Sequence, residues 1–177
     1  ISKAAISKHL RVLEDAGLAD GMDVDSIYFS NVKMEMFGQP SIRGQVCLDE
    51  MVKEGRLAPR APVINVEGAC ATGSVALHCA WKDVLSGQGD LSLAIGGEKT
   101  FIPNDAERQY ELFAGAQDRF DPELWLSMFR EAGASLDMPF DAHAGGGTIN
   151  MAMYAIRATH HMRKHGITQQ QYAAVAS

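Results

Sequence analysis

The sequence predicts an α/β fold on a parallel sheet, with a central helix layer between two sheets. Three observations lead there. Short apolar, β-branched runs alternate with helical patterns between residues 26 and 96. The link from the strand at 62–66 to the helix at 72–86 is built from small residues, Gly68, Ala69, Ala71 and Gly73. That helix is also apolar around most of its circumference. Val75, Ala76, Leu77, Cys79, Ala80, Trp81, Val84 and Leu85 leave a polar stripe of Ser74, His78 and Lys82. Such a helix is expected to be buried on several sides, whereas a surface helix shows one apolar face.

The elements follow in order. Residues 3–16 read as a helix with Ile6, Leu10 and Leu13 on one face and Gly17 as its C-cap. Ser26 to Asn31 is a strand, and Gly44 to Glu54 a helix with Val46, Met51 and Val52 apolar and Gly55 as its stop. Leu57-Ala58-Pro59 connects to a buried strand, Pro62 to Val66, then to the helix at 72–86 and a second buried strand at 91–96. Residues 101–148 break the alternation with Pro103, Pro122, Pro139 and the run Gly145-Gly146-Gly147. Within this excursion Asp121 caps a helix whose first turn holds Pro122 and whose apolar face is Leu124, Trp125, Met128 and Phe129. A helix returns from Thr148 to Gly166, with Tyr154, Ala155, Ala158 and Met162 as its apolar face. Thr168 and Gln171 then have the spacing of a capping box for a last helix.

The chemistry points to Asn65 through Ser74. Cys70 stands where a strand turns into a helix, among residues small enough to permit a tight turn and leave sulfur reachable. A helix N-terminus offers unpaired N–H groups and a partial positive charge. Both favour thiolate, which is the nucleophile. Cys70 is therefore the candidate catalytic residue. Cys79, in an apolar helix, and Cys47, on an amphipathic one, read as packing. Glu67 and Glu98 flank strand ends near Cys70 and read as structural hydrogen-bond partners. Ser74 and His78 lie one helical turn apart, without an identifiable orienting acid. His160, His161 and His165 include an i,i+4 pair with no acidic or Cys ligand nearby, so they read as a solvated face and no metal is predicted. Gly145-Gly146-Gly147-Thr148 lacks P-loop spacing and reads as a hinge or tight turn, with a contact to phosphates as its alternative.

Composition bounds the classes. The chain has 177 residues, 46% hydrophobic and 21% charged, which is ordinary for a globular core. A net charge of −6 disfavours a general nucleic-acid partner. The 3 cysteines form no C-x-x-C pair or evident disulfide framework, which points to a reducing compartment. No signal peptide and no apolar run long enough for a membrane span is present. The chain starts at Ile1, close to a helical pattern, and stops at Ser177 inside another, as expected of a piece of a longer protein.

Ala69-Cys70-Ala71-Thr72-Gly73, the apolar helix, Gly87-Gln88-Gly89-Asp90, and a strand ending Gly96-Gly97-Glu98 together resemble the nucleophile region of the thiolase superfamily, which includes thiolases and β-ketoacyl synthases. Met151-x-x-Tyr154-Ala155, His161-Met162, Gly166-Ile167-Thr168 and Gln171 are similar to the post-loop region of the sterol-carrier-protein type of thiolase. A second likeness competes over Ala5 to Leu18, which resembles the recognition helix of a winged helix-turn-helix repressor. No preceding helix or basic-tipped wing accompanies it, and Leu13-x-Asp15-Ala16-Gly17-Leu18 is also similar to the end of the first thiolase helix.

The thiolase resemblance implies a layered αβαβα fold, here its N-terminal half. With half of the sheet layers absent, the apolar helix 75–85 would lose part of its cover, and the strand at 62–66 would be an exposed edge in a lone subunit. Residues 1–100 would be the core with the nucleophile elbow at 65–74, residues 101–148 a loop region over the substrate, and residues 149–177 return helices. It implies that Cys70 takes an acyl group from a thioester, either cleaving a 3-oxoacyl-CoA with CoA or running the reverse Claisen condensation. CoA enters as substrate, no bound cofactor is implied, and the partners are acyl-CoA, CoA and further copies of the chain in a homodimer or tetramer. The rest of a thiolase's catalytic set, an Asn-His-Glu-type loop, a His and a second Cys, is not in these residues, so this stretch alone is expected to be acylated at most. The implied compartment is the cytoplasm of a bacterium or archaeon, or the peroxisome or mitochondrion of a eukaryote. A β-ketoacyl synthase and a non-catalytic lipid-binding protein on the same fold are the alternatives.

Overall fold

The computed structural model describes residues 21–115, 117–142 and 147–176, together with Asp15 and Gly17. The predicted helix at 3–16, with its likeness to a DNA-recognition helix, lies outside these residues except for Asp15, and Gly145 and Gly146 also lie outside. The chain forms two compact units, Ile1–Phe101 and Ile102–Ser177.

The first unit is a three-stranded parallel sheet with a helix on each face. The strands are β1 (Ser26–Ser30), β2 (Val63–Val66) and β3 (Ser92–Gly96), in the order β2-β1-β3. Phe29 pairs with Asn65 on one side and Ile95 on the other, so the carboxyl ends of all three strands lie together. The chain steps from β1 to β2, then back across β1 to β3. Right-handed crossovers in opposite directions put the two connecting helices on opposite faces. Helix α1 (Arg43–Lys53) makes the first crossing and α2 (Thr72–Ser86) the second.

Side-chain alternation along β1 gives the faces different characters. Ile27 and Phe29, both 0% exposed, point toward α1 and pack with Cys47, Leu48, Met51 and Leu57. Gly44 lets α1 approach closely, because a Cβ there would press on Phe29 and Val63. The α2 face is tighter and more polar. Ala76 and Ala80 are buried there, and Ser26 Oγ donates to Asp83 Oδ2 at 2.7 Å and lies 2.8 Å from Ser92 Oγ. Tyr28 donates to the same carboxylate. Its partial burial first, and then this bond, push its hydroxyl up to about 12. At the same, amino-terminal end of the sheet Asp25 accepts from Leu91 N and Asp90 N, and these bonds hold its carboxyl below the usual range.

Two strands are less buried than their residues suggest, and α2 lacks part of its cover as expected of half of a layered fold. The strand at 62–66 is not buried: β2 is an edge strand with Ile64 37% exposed, because β1 alone pairs with it among the described residues. The strand at 91–96 is only half-buried, for it lies at the other edge. Helix α2 is covered on one side alone, leaving Leu77, Trp81, Val84 and Leu85 exposed. The physical reason is shared. The described residues form one sheet, so the second layer expected from the apolarity of α2 is not among them.

The second unit is helical: α3 (Ala106–Ala114), α4 (Pro122–Ala134), α5 (Ile149–His165) and α6 (Gln169–Ala176). Leu124 N donates to Asp121 Oδ1 at 3.0 Å, the predicted cap. Thr168 N donates to Gln171 Oε1 at 2.8 Å and Gln171 N to Thr168 Oγ1 at 3.3 Å, completing the predicted capping box. Helix α3 went unforeseen, although Asp105 caps it by accepting from Arg108 N at 3.0 Å. Leu112, Leu136 and Ile156 are the buried apolar residues among the described residues of this unit. The core contact of α5 is thus Ile156, while Tyr154, expected on its apolar face, is 56% exposed. No helix of the described residues is long and apolar enough to cross a membrane.

Candidate active site

The carboxyl ends of β1, β2 and β3 converge on Asn31, Glu67 and Glu98, where open parallel sheets place their ligands. Asn31 ties the edge together. Its Nδ2 donates to Gly97 O at 2.7 Å and to Glu98 Oε2 at 3.2 Å, and its Oδ1 accepts from Met34 N at 2.9 Å. Glu98 also accepts from the backbone N–H groups of Val32 and Lys33, which makes it a structural partner joining β3 to the end of β1. On the α1 side Arg43 Nη1 donates to Asn31 O at 2.6 Å, and Asn65 Oδ1 accepts from Gly44 N at 2.7 Å. Phe29, Asn31, Arg43, Asn65, Val66 and Glu67 line a shallow pocket at this edge.

Cys70 follows β2 in a single 3-10 turn, Ala69–Ala71, that runs directly into α2 at Thr72. The thiol is exposed, Cys47 is buried and Cys79 is half-buried on α2. Cys70 therefore stands two residues ahead of a 15-residue helix whose first N–H groups have no partner within the helix. The backbone before it is held in an unusual shape. Ala69 has φ +48°, left-handed space that costs an ordinary residue roughly 1–2 kcal/mol. Such a conformation persists only where neighbours fix it. Here they do: Gly68 N donates to Thr72 Oγ1 at 3.0 Å and Gly68 O accepts from Ala71 N at 2.9 Å. Ala69 N donates to Glu67 Oε1 at 2.5 Å, and Ala69 O accepts from Thr72 Oγ1 at 2.6 Å. All four backbone polar groups of Gly68 and Ala69 are satisfied within the turn.

The other sequence candidates lie elsewhere in the fold. His78 sets its ring beside Trp81, with centroids 5.8 Å apart. His161 Nδ1 meets Tyr172 Oη at 2.9 Å, and its ring lies 4.6 Å from that of His165. Among the described residues no group of three or more His, Cys, Asp or Glu side chains is arranged to hold a metal. Residues that sequence reasoning passed over are Asn31, Arg43 and Thr72. For Thr72 the signal was a hydroxyl residue two positions after a cysteine, which reads equally well as a helix start.

An exposed thiol in a strained turn, between the carboxyl end of a parallel strand and a helix N-terminus, defines an α/β protein built around a candidate cysteine nucleophile. The chain belongs to the thiolase family: the family described as thiolase, N-terminal domain, matches residues 2–177. It is 29% identical over 167 residues to an acetyl-CoA acetyltransferase of Methanothermobacter thermautotrophicus, covering 94% of this chain and 36% of that protein. It is 28% identical over 162 residues to an acetyl-CoA acetyltransferase of Methanocaldococcus jannaschii, covering 92% of this chain and 34% of that protein. Sterol carrier protein 2 of Gallus gallus is 29% identical over 120 residues, 65% of this chain and 18% of that protein. The chain thus spans about a third of the length of the two acetyltransferases.

Proposed function

We propose that this chain supplies the acyl-carrying cysteine of a thiolase-type acyl-CoA acyltransferase. The observation behind this reading is the exposed Cys70 in its fixed turn ahead of α2. The Cys70 thiolate attacks the thioester carbonyl carbon of an acyl-CoA. The bond from that carbon to the CoA sulfur breaks, and CoA leaves as a thiolate that takes up a proton. The acyl group, now a thioester on Cys70, passes to the α-carbon of a second acyl-CoA, which gives up a proton, and condensation is complete. In cleavage the Cys70 thiolate instead attacks the 3-oxo carbon of a 3-oxoacyl-CoA. The bond between C2 and C3 breaks, C2 takes up a proton as the shortened acyl-CoA leaves, and the acyl group on Cys70 passes to the sulfur of CoA, which gives up its proton. CoA is a substrate throughout, with no bound cofactor. The α2 N-terminus gives Cys70 a favourable field for negative charge.

The same reading takes residues 1–100 as the core, 101–148 as the loop region over the substrate and 149–177 as return helices. Family membership supports it. Pairing of whole subunits, as a dimer or tetramer, goes with it. The support is β2, an edge strand exposing Ile64, which a second chain would cover. Sedimentation of the protein at micromolar concentration as a single subunit contradicts that pairing.

The activity is tested on the whole protein that contains this chain, by following release of free CoA as acetyl-CoA condenses or consumption of free CoA as acetoacetyl-CoA is cleaved. Cys70→Ala is expected to lower kcat by several orders of magnitude, roughly 10³-fold or more. A variant with near wild-type turnover excludes Cys70 as the acyl carrier.

A further inference from the structure

We infer that Thr72 is a positioning residue for Cys70, its hydroxyl fixing the turn that presents the thiol. This rests on reading Cys70 as the acyl carrier. A threonine that begins a helix ordinarily turns its hydroxyl to the helix's own first N–H groups. Thr72 does not serve α2 in this way, and the helix's N-cap position, Ala71, makes no side-chain cap. Instead its hydroxyl reaches back, accepting from Gly68 N at 3.0 Å and donating to Ala69 O at 2.6 Å. It thereby supplies two of the five bonds that satisfy Gly68 and Ala69, the pair of residues that leads into Cys70, and the Thr72 N–H adds a third bond of its own to Ala69 O.

The other side chain in the turn, Glu67, is exposed and holds only Ala69 N. Thr72 is 6% exposed, so water does not readily replace its hydroxyl. Without it Gly68 N–H loses its partner and the Ala69 carbonyl keeps only the Thr72 N–H, so the turn that holds Ala69 at φ +48° is loosened. Relaxation of that one residue redirects the peptide joining it to Cys70. A misplacement near 1 Å is enough to slow a reaction at the thiol by about a hundredfold.

The experiment compares the whole protein with its Thr72→Val, Thr72→Ala and Thr72→Ser variants. Each is treated with limiting iodoacetamide near neutral pH, and adducts are mapped to individual cysteines. Protection of buried Cys47 reports an intact fold. The expected result is Cys70 labelling about ten- to a hundredfold slower in Thr72→Val or Thr72→Ala, with Cys47 still protected, and a rate near wild type in Thr72→Ser. Wild-type rates in the variants without the hydroxyl overturn the inference and leave the reading of Cys70 standing. Equal slowing in Thr72→Ser also overturns it, since packing rather than the hydroxyl then matters. Loss of Cys47 protection in both Thr72→Val and Thr72→Ala makes Thr72 a folding residue and overturns it too. A Cys70 unreactive in the wild-type protein removes the acyl-carrier reading itself.

Discussion

Ala69 is the residue of the turn that physics least favours. Its methyl group sits at φ +48°, where glycine would fit without strain. Ala69→Gly removes a cost of roughly 1–2 kcal/mol but gives the unfolded chain more freedom, worth about 0.5–1 kcal/mol. The expected net is a stability gain of up to about 1 kcal/mol, read as a rise in Tm of a few degrees. A fall in Tm shows that Ala69 is unstrained. Tyr28 makes a pH prediction. Burial first, and then Asp83, raise its hydroxyl from an ordinary 10.0 to about 12, so the stability that goes with the protonated hydroxyl is fully present below pH 10 and is lost as pH rises toward 12. Tyr28→Phe is expected to flatten the alkaline limb of the stability curve, measured by urea unfolding from pH 8 to pH 12. An unchanged slope refutes the assignment. The sequence made the exposed position of Cys70 between strand and helix legible, because small residues stand on both sides of it. It hid Thr72 and Asn31, because a threonine at a helix start and an asparagine at a strand end have common local uses. The partners of Asn31 across the sheet are set by the folded path of the chain, whereas those of Thr72 are local but lie behind it rather than ahead in the helix it begins.

At the scale of elements, α2 separates what periodicity reveals from what it cannot. The apolar circumference of α2 is written in Leu77, Trp81, Val84 and Leu85, yet these remain exposed, while the short Ala76 and Ala80 are buried. Periodicity reports which faces tolerate burial. It does not say how many layers the chain itself supplies. Ala80→Leu is therefore expected to overpack α2 on the sheet and cost about 1–3 kcal/mol. Leu85→Lys is expected to change the stability of this 177-residue chain by no more than about 0.5 kcal/mol. Chemical denaturation of both variants checks the contrast, and a larger loss from Leu85→Lys shows that the outer face is covered. The caps at Asp121 and at Thr168 with Gln171 were legible because each is decided within four residues. Helix α3 was missed although Asp105 has the same kind of cap, because its single buried residue, Leu112, gives no helical stripe to read.

At the scale of the molecule, the parallel sheet and the helix on each face bring three strand ends, the Asn31 knot and the Cys70 turn to one edge. Alternating strands and helices made this legible in outline. The edge position of β3 was not, because strand order depends on which way each crossover steps and not on the strand's own residues. The account turns on one event at that edge, transfer of an acyl group to Cys70. The direct measurement is to mix the whole protein with acetyl-CoA, quench in acid and map the modified peptide by mass spectrometry. A single acetyl group on Cys70, removed by hydroxylamine and absent from Cys70→Ala, is the predicted result. Acyl transfer that proceeds with the acetyl group on another residue, or with no covalent adduct, contradicts the account.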